Sequence, residues 1–183
     1  MTILRNRSLV RVVAPTNEPI TLTEAKLYLR VDHVDEDVLI NDLIVAARMH
    51  AEHWLKRSIL TQTWKLAYDD YLTEEVLLPM GPVSSIDNVT IIDRDEDSEV
   101  LDSGLYYLNA SKDAIIFDEC LSAHRIEITY VTGYGDASMV PKSIKQGMLS
   151  HIASMYDGRG EGTGHVLPEQ SVCLYMPFRE VSL

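Results

Sequence analysis

The spacing of apolar residues along the chain changes period twice. From Thr21 to about Lys56 they recur every three or four positions, from Ser58 to about Gly135 they alternate or come in short runs, and from Pro141 they return to helical spacing. Leu22, Ala25 and Leu29 share one face of a first helix. Thr21 and Glu24 have the spacing of a capping box, which satisfies two backbone N–H groups at the helix start. A second helix is expected from about Asp35 to Lys56, its first turn carrying Asp35, Glu36 and Asp37 where the helix dipole favours negative charge. Leu39, Leu43, Ala46, His50 and Trp54 mark one face of it, and Ile40, Ile44, Ala47, Ala51 and Leu55 the neighbouring face. An apolar arc this wide predicts a helix buried on two sides.

Alternation then takes over. Gln62, Trp64, Leu66 and Tyr68 fall on one side of an expected strand from Ser58 to Asp70, and VLLP forms a second, ending at Pro79 before a Met80-Gly81-Pro82 turn. The pieces PVSSIDNVTII, GLYYLN, AIIF and HRIEITYVTGYG are rich in Val, Ile, Thr and Tyr and are separated by turn-forming clusters, the local signature of β-structure. A third helix is expected over 141–156, with Pro141 at its first position and Ile144, Met148, Ile152 and Met155 on one face. The fold class predicted is α+β: a small helical bundle of about three main helices plus a short C-terminal segment, with an inserted antiparallel β-region. By residue, 1–19 reads as a basic N-terminal arm or edge strand. Residues 20–159 form the main domain, with helices over 21–56 and 141–156 and the β-insert over 60–135. Residues 160–183 read as a flexible Gly-rich loop and a C-terminal partner-contact segment.

Composition narrows the function. The 183 residues are 46% hydrophobic and 24% charged, ordinary for a globular chain, but the net charge is −12. That balance argues against wrapping DNA through its phosphates or binding an anionic membrane, since both rely on clustered Lys and Arg. Arg5, Arg7 and Arg11, with no acidic residue before Asn17, are the local exception. Cys120 and Cys173 lack CxxC spacing and read as two buried or partly buried thiols of a reducing compartment. The chain shows no signal-peptide pattern and no run of membrane-spanning length, so a soluble, intracellular protein is expected.

The candidate chemistry resolves into structure. Asp93, Asp95 and Asp97 open like a calcium loop, but Ser98 and Gly104 stand where that loop requires Gly and Glu, leaving an acidic hairpin tip. His50 and His53 have no matching ligands, so no metal site is assigned. GRGEGTG lacks the Lys-Ser or Lys-Thr ending of a phosphate loop. No nucleophile, base and donor set converges, so no catalytic residue and no cofactor is assigned, and the chain is read as a non-enzyme.

Several segments in order resemble one family: TLTEAKLYLR, an acidic gap, AARMHAE, QTW, LPMGPV, and YVTGYG followed by VP and a helix. Over about Ile20 to Arg159 the chain is similar to the head–tail connector (adaptor, head-completion) proteins of tailed bacteriophages and prophages. The resemblance implies a structural protein of the virion, located at the head–tail junction and in the host bacterial cytoplasm during assembly. It implies a ring, twelvefold in the virion, beneath the portal protein. That ring would extend the DNA channel and dock head-closure or tail-completion proteins. Double-stranded DNA would pass through without sequence-specific binding, and no membrane would be involved. The portal contact is expected in the tail, at Tyr175, Phe178 and Arg179, because aromatic and Arg side chains are typical interface anchors. The alternative is a non-catalytic prophage protein-binding or regulatory module.

Overall fold

A computed structural model describes residues 7–158 and 166–180; the side chains of 70–73 and 120–122 are not described. The chain forms two compact units, Met1–Pro15 with Thr61–Gly133, and Thr16–Leu60 with Tyr134–Leu183.

The second unit is helical. Thr21 caps α1 (Leu22–Leu29), and both halves of the capping box are present: the Glu24 N–H donates to the Thr21 hydroxyl at 3.2 Å, and the Thr21 N–H donates to the Glu24 carboxylate at 2.8 Å. The second helix, α2 (Asp37–Leu55), starts later than its sequence suggested: Glu36 is the cap residue and Asp35 precedes it, leaving only Asp37 in the first turn. Ile40, Ile44, Ala47, Ala51 and Leu55 are buried along it, while Leu43, Ala46 and Trp54 are half-buried against the same core. That division is the expected wide arc with one face deeper than the other. α3 (Lys142–Asp157) brings Ile144, Met148, Ile152 and Met155 to that core, with Pro141 just before its first turn. A short α4 (Glu169–Tyr175) runs into a single 3-10 turn over Met176–Phe178.

Charge is also buried in this unit. The Arg48 guanidinium donates to Glu18 from Nε at 2.7 Å and from a second nitrogen at 3.1 Å, and to Glu52 at 3.0 Å. Glu52 in turn accepts from the Ile59 N–H at 3.0 Å. Burial works against the Arg48 charge, but the hydrogen bonds and charges of Glu18 and Glu52 prevail and hold it above its ordinary value. Desolvation offsets much of the attraction in a triad of this kind, so its net contribution to stability is small, whereas removing one partner is costly.

Among the described residues, the first unit forms a six-stranded antiparallel sheet. Its strands are β1 (Arg7–Val13), β2 (Gln62–Leu77), β3 (Val83–Ile92), β4 (Ser98–Val100), β5 (Tyr106–Leu108) and β6 (Ala114–Thr132). They run in the order β1-β2-β6-β3-β4, with β5 on the far end of β6. Leu66 opposite Ile128, Tyr68 opposite Ile126, and Val89 opposite Ile128 set one face, and these side chains with Val76, Val83, Ile115, Phe117 and Tyr130 make a separate apolar core. The other face carries Lys65, Ala67, Asp69, Arg125 and Glu127. Here Lys65 pairs with Glu127 at 2.7 Å and Arg125 with Asp69 at 2.8 Å. The sheet therefore has one dry and one solvated face, as the period-two alternation requires.

Two differences from the sequence reading concern length. Residues 62–70 of SILTQTWKLAYDD and 76–77 of VLLP, expected in two strands, belong to one, β2, which starts four residues later than the expected Ser58; AIIF and HRIEITY likewise form the single strand β6. Where β2 and β6 pair, the register slips between Thr73 and Glu75, so the extra β6 residues are absorbed without ending either strand. The expected tight turn after β6 is present, with Gly133 and Gly135 at φ of 110° and 111°, a region that side chains with a Cβ rarely enter.

Candidate partner-binding segment

The C-terminal segment is built on α3. At Gly147 a Cβ would lie 2.4 Å from the Tyr175 ring, so the missing side chain makes the slot that Tyr175 fills. The Ser171 hydroxyl donates to the Gly147 carbonyl at 2.8 Å and locks α4 against the same turn. Trp54 stands 6.0 Å from Tyr175, centroid to centroid, tilted 45°. Tyr175 is 0% exposed, and its hydroxyl has no hydrogen-bond partner among the described residues. Burial pushes its pKa far up.

Tyr175 thus anchors the segment to its own chain. Its ring is buried in its own chain, in the glycine slot and against Trp54, so it holds the segment in place instead of presenting a surface. Phe178 is half-buried against the same core. Arg179 is exposed, its guanidinium carbon 4.7 Å over the Trp54 ring centroid, a cation–π contact that orients the guanidinium. Beyond it the Glu180 N–H donates to the Leu55 carbonyl at 3.0 Å, tying the chain down past the 3-10 turn. Of the three residues, the structure leaves Arg179 and the outer edge of Phe178 available, with Met176 exposed beside them.

Gly147 was missed in the sequence. A glycine within a helix weakens it by about 1 kcal/mol relative to alanine, and that unexplained penalty was the available signal. Cys173 is also exposed and free, contrary to the expectation of a buried or partly buried thiol, because α4 turns that position outward.

The remaining candidates are structural. Asp93 caps the hairpin tip, its carboxylate accepting from the N–H groups of Asp95 at 2.9 Å and Asp97 at 3.0 Å. His50 lies edge-on to His151, their rings 5.3 Å apart. Among the described residues no group of three His, Cys, Asp or Glu side chains could hold a metal ion, and no helix is long and apolar enough to cross a membrane. The glycine-rich stretch over 159–165 lies outside the described residues.

A protein-family model described as head completion protein matches residues 18–153. The chain belongs to the head completion protein family. None of the curated proteins searched matches it. Among solved structures, it is similar to a chain from the neck of an empty gene transfer agent particle computed with C6 symmetry. That match has a TM-score of 0.79 and 20% identity over 96% of this chain and 97% of the other. A chain of the native gene transfer agent virion matches with a TM-score of 0.79 at 21% identity, over 96% of each chain. A third, from the neck of the native particle computed with C12 symmetry, matches with a TM-score of 0.78 at 19% identity, over 96% of this chain and 97% of that one. At such identities these likenesses establish the α+β fold of this family member.

Proposed function

We propose that this protein is a structural, non-enzymatic component of a tailed-phage or phage-like particle that sits at the head–tail junction. It assembles there as a ring beneath the portal, extends the DNA channel and offers a platform for head-closure or tail-completion proteins. The observation that carries this reading is the family match across residues 18–153, which spans both units. The likeness to neck chains from particles computed with C6 and C12 symmetry supports the ring. The net charge of −12 fits a channel wall, since a carboxylate-rich lining repels DNA phosphates and lets the genome pass without adhering.

In this reading the portal contact lies in the C-terminal segment, with Tyr175 holding it in place and Phe178 and Arg179 presenting the contact. Arg179, stacked on Trp54, is pre-oriented and loses little freedom on binding. The test is negative-stain microscopy of the protein mixed in excess with the portal protein of the same genome. An added ring of density at one end of the portal is the expected result. Bare portals at saturating concentration overturn the reading. Arg179→Ala with Phe178→Ala is expected to weaken that binding, and unchanged binding moves the contact elsewhere.

A further inference from the structure

The sheet ends in two unlike edges. At one end stands β1, seven residues long and exposed along nearly its whole length; among the described residues it pairs on one side only, with β2. It carries Arg7 and Arg11 and no acid, and Val10, Val12 and Val13 are each more than half exposed. A long apolar edge with open backbone groups is a template for further pairing. At the other end the β3–β4 hairpin holds Asp93, Asp95, Glu96, Asp97 and Glu99 against the single cation Arg94. This end is also partly apolar, with Val100 66% exposed and Leu105 and Tyr107 about half exposed.

A row of charge joins the two ends. Glu96 lies 3.7 Å from Arg125, and Arg125 is 2.8 Å from Asp69. Arg7, Asp69 and Arg125 then line one open cleft of about 370 Å³, together with Ser8, Ala67 and Glu127. The sign alternates across the sheet and finishes positive at β1 and negative at the hairpin. Four strand spacings, about 19 Å, separate these edges along the sheet, so one copy does not join its own two ends.

We infer that neighbouring copies of this chain dock through these two edges, the β1 edge of one copy seating on the β3–β4 hairpin of the next. Arg7 and Arg11 then meet the carboxylates of residues 93–99, the exposed valines of β1 meet Val100, and the alternating row continues from copy to copy. Two different patches, each complementary to the other, make a heterologous contact, the kind that closes rings. DNA is the poorer occupant for β1, because two arginines flanked by exposed valines, on a chain of net charge −12, make a weak phosphate site. The inference rests on the ring reading above and assigns its subunit contact.

Reciprocal charge reversal tests it. One variant carries Arg7→Glu and Arg11→Glu; the other carries Asp95→Lys and Glu99→Lys. All four positions are exposed, and circular dichroism verifies folding. Self-association is followed by analytical ultracentrifugation, with and without portal. Each variant alone is expected to need at least tenfold more protein to associate. An equimolar mixture is expected to recover association in part, because in alternating copies the two new lysines face the two new glutamates and the hairpin, now balanced at three acids and three cations, no longer repels them; the chain carrying all four changes is expected to do the same. Wild-type rings with variants that associate equally well overturn the edge contact and leave the ring standing. The same holds if the single variants fail and neither the mixture nor the fourfold variant recovers. Intact association of the β1 variant with reduced DNA retention assigns that edge to nucleic acid and overturns the contact. A wild-type protein that stays monomeric with and without portal overturns the ring reading itself.

Discussion

The two units of this chain treat their charged groups differently. The helical unit buries a charged pair: Arg48 and Glu52 are each less than a tenth exposed, as are His151 and Ser171. The sheet unit encloses an apolar cluster and leaves its charges on one face and at its edges, paired across strands where they have partners. The physical consequence differs. Buried polar groups admit one arrangement only, because any other leaves a charge without a partner in a medium that solvates it poorly. Charges at open edges tolerate many arrangements and favour association with whatever carries the opposite sign.

The sharpest way to break the helical half of this comparison is Arg48→Ala. It strands two carboxylates, Glu52 among the buried residues, and is expected to destabilise the unit by about 3–5 kcal/mol. Urea denaturation measures this. Replacing Glu18, Arg48 and Glu52 together by apolar residues of similar volume is expected to be far milder, since no charge is then left unpaired. A triple variant as unstable as the single one would mean that the packing of these side chains matters, and not their charge.

The sheet unit should answer to volume instead. Ile128 is 0% exposed and faces both Leu66 and Val89. Ile128→Ala removes most of a buried side chain and leaves a cavity, at about 3 kcal/mol. Hydrogen exchange is expected to show lost protection in β2 and β6. Charge changes on the solvated face, such as Lys65→Met, should shift stability by less than about 1 kcal/mol, because exposed ion pairs contribute little.

Gly147→Ala probes the seam between α3 and the C-terminal segment. One methyl group there meets the Tyr175 ring at 2.4 Å, so the ring or the helix must move. Overpacking of this kind costs about 1–3 kcal/mol, although the same change in a free helix would be stabilising. Adding Tyr175→Leu to Gly147→Ala is expected to recover part of the loss, which a thermal melt would show. Failure to recover would separate the cost of the methyl from the ring that it meets.

This seam also shows where sequence reasoning stopped. Periodicity finds a face but not its neighbour. The apolar faces of α2 and α3 were legible from spacing, and the capping box from Thr21 and Glu24 alone, because each is decided within a few residues. Tyr175 looked like a surface anchor because nothing within four positions of it explains an aromatic ring. Its explanation is Gly147, from another helix. The full length of β2 was hidden for a similar reason. Asp69 interrupts its apolar pattern, and the partner that makes it tolerable, Arg125, lies 56 positions away. Charges that pair across strands read as turns until the pairing is known.

The smallest effect comes from Glu24, where the helical unit carries a charge at its surface. The Thr21 backbone N–H chiefly holds this carboxyl below its ordinary value of 4.5, helped by Lys145 at 3.1 Å and opposed by partial burial. A depressed carboxyl pKa stabilises the fold above 4.5, and that contribution is lost as pH falls through the lower folded value. The pair is exposed, so its Coulombic part is screened, and Glu24→Gln is expected to cost less than about 1 kcal/mol at pH 7. Glutamine still accepts from the Thr21 N–H, so the cap survives while the charge is lost. As pH falls from 4.5 through the lower folded value the variant and the parent should converge, because protonation then removes the same charge from the parent. If the gap measured at pH 7 persists after the carboxyl has titrated at the acid end of the curve, the shape of the carboxylate in the cap matters more than its charge, and even the exposed end of the helical unit is governed by fit.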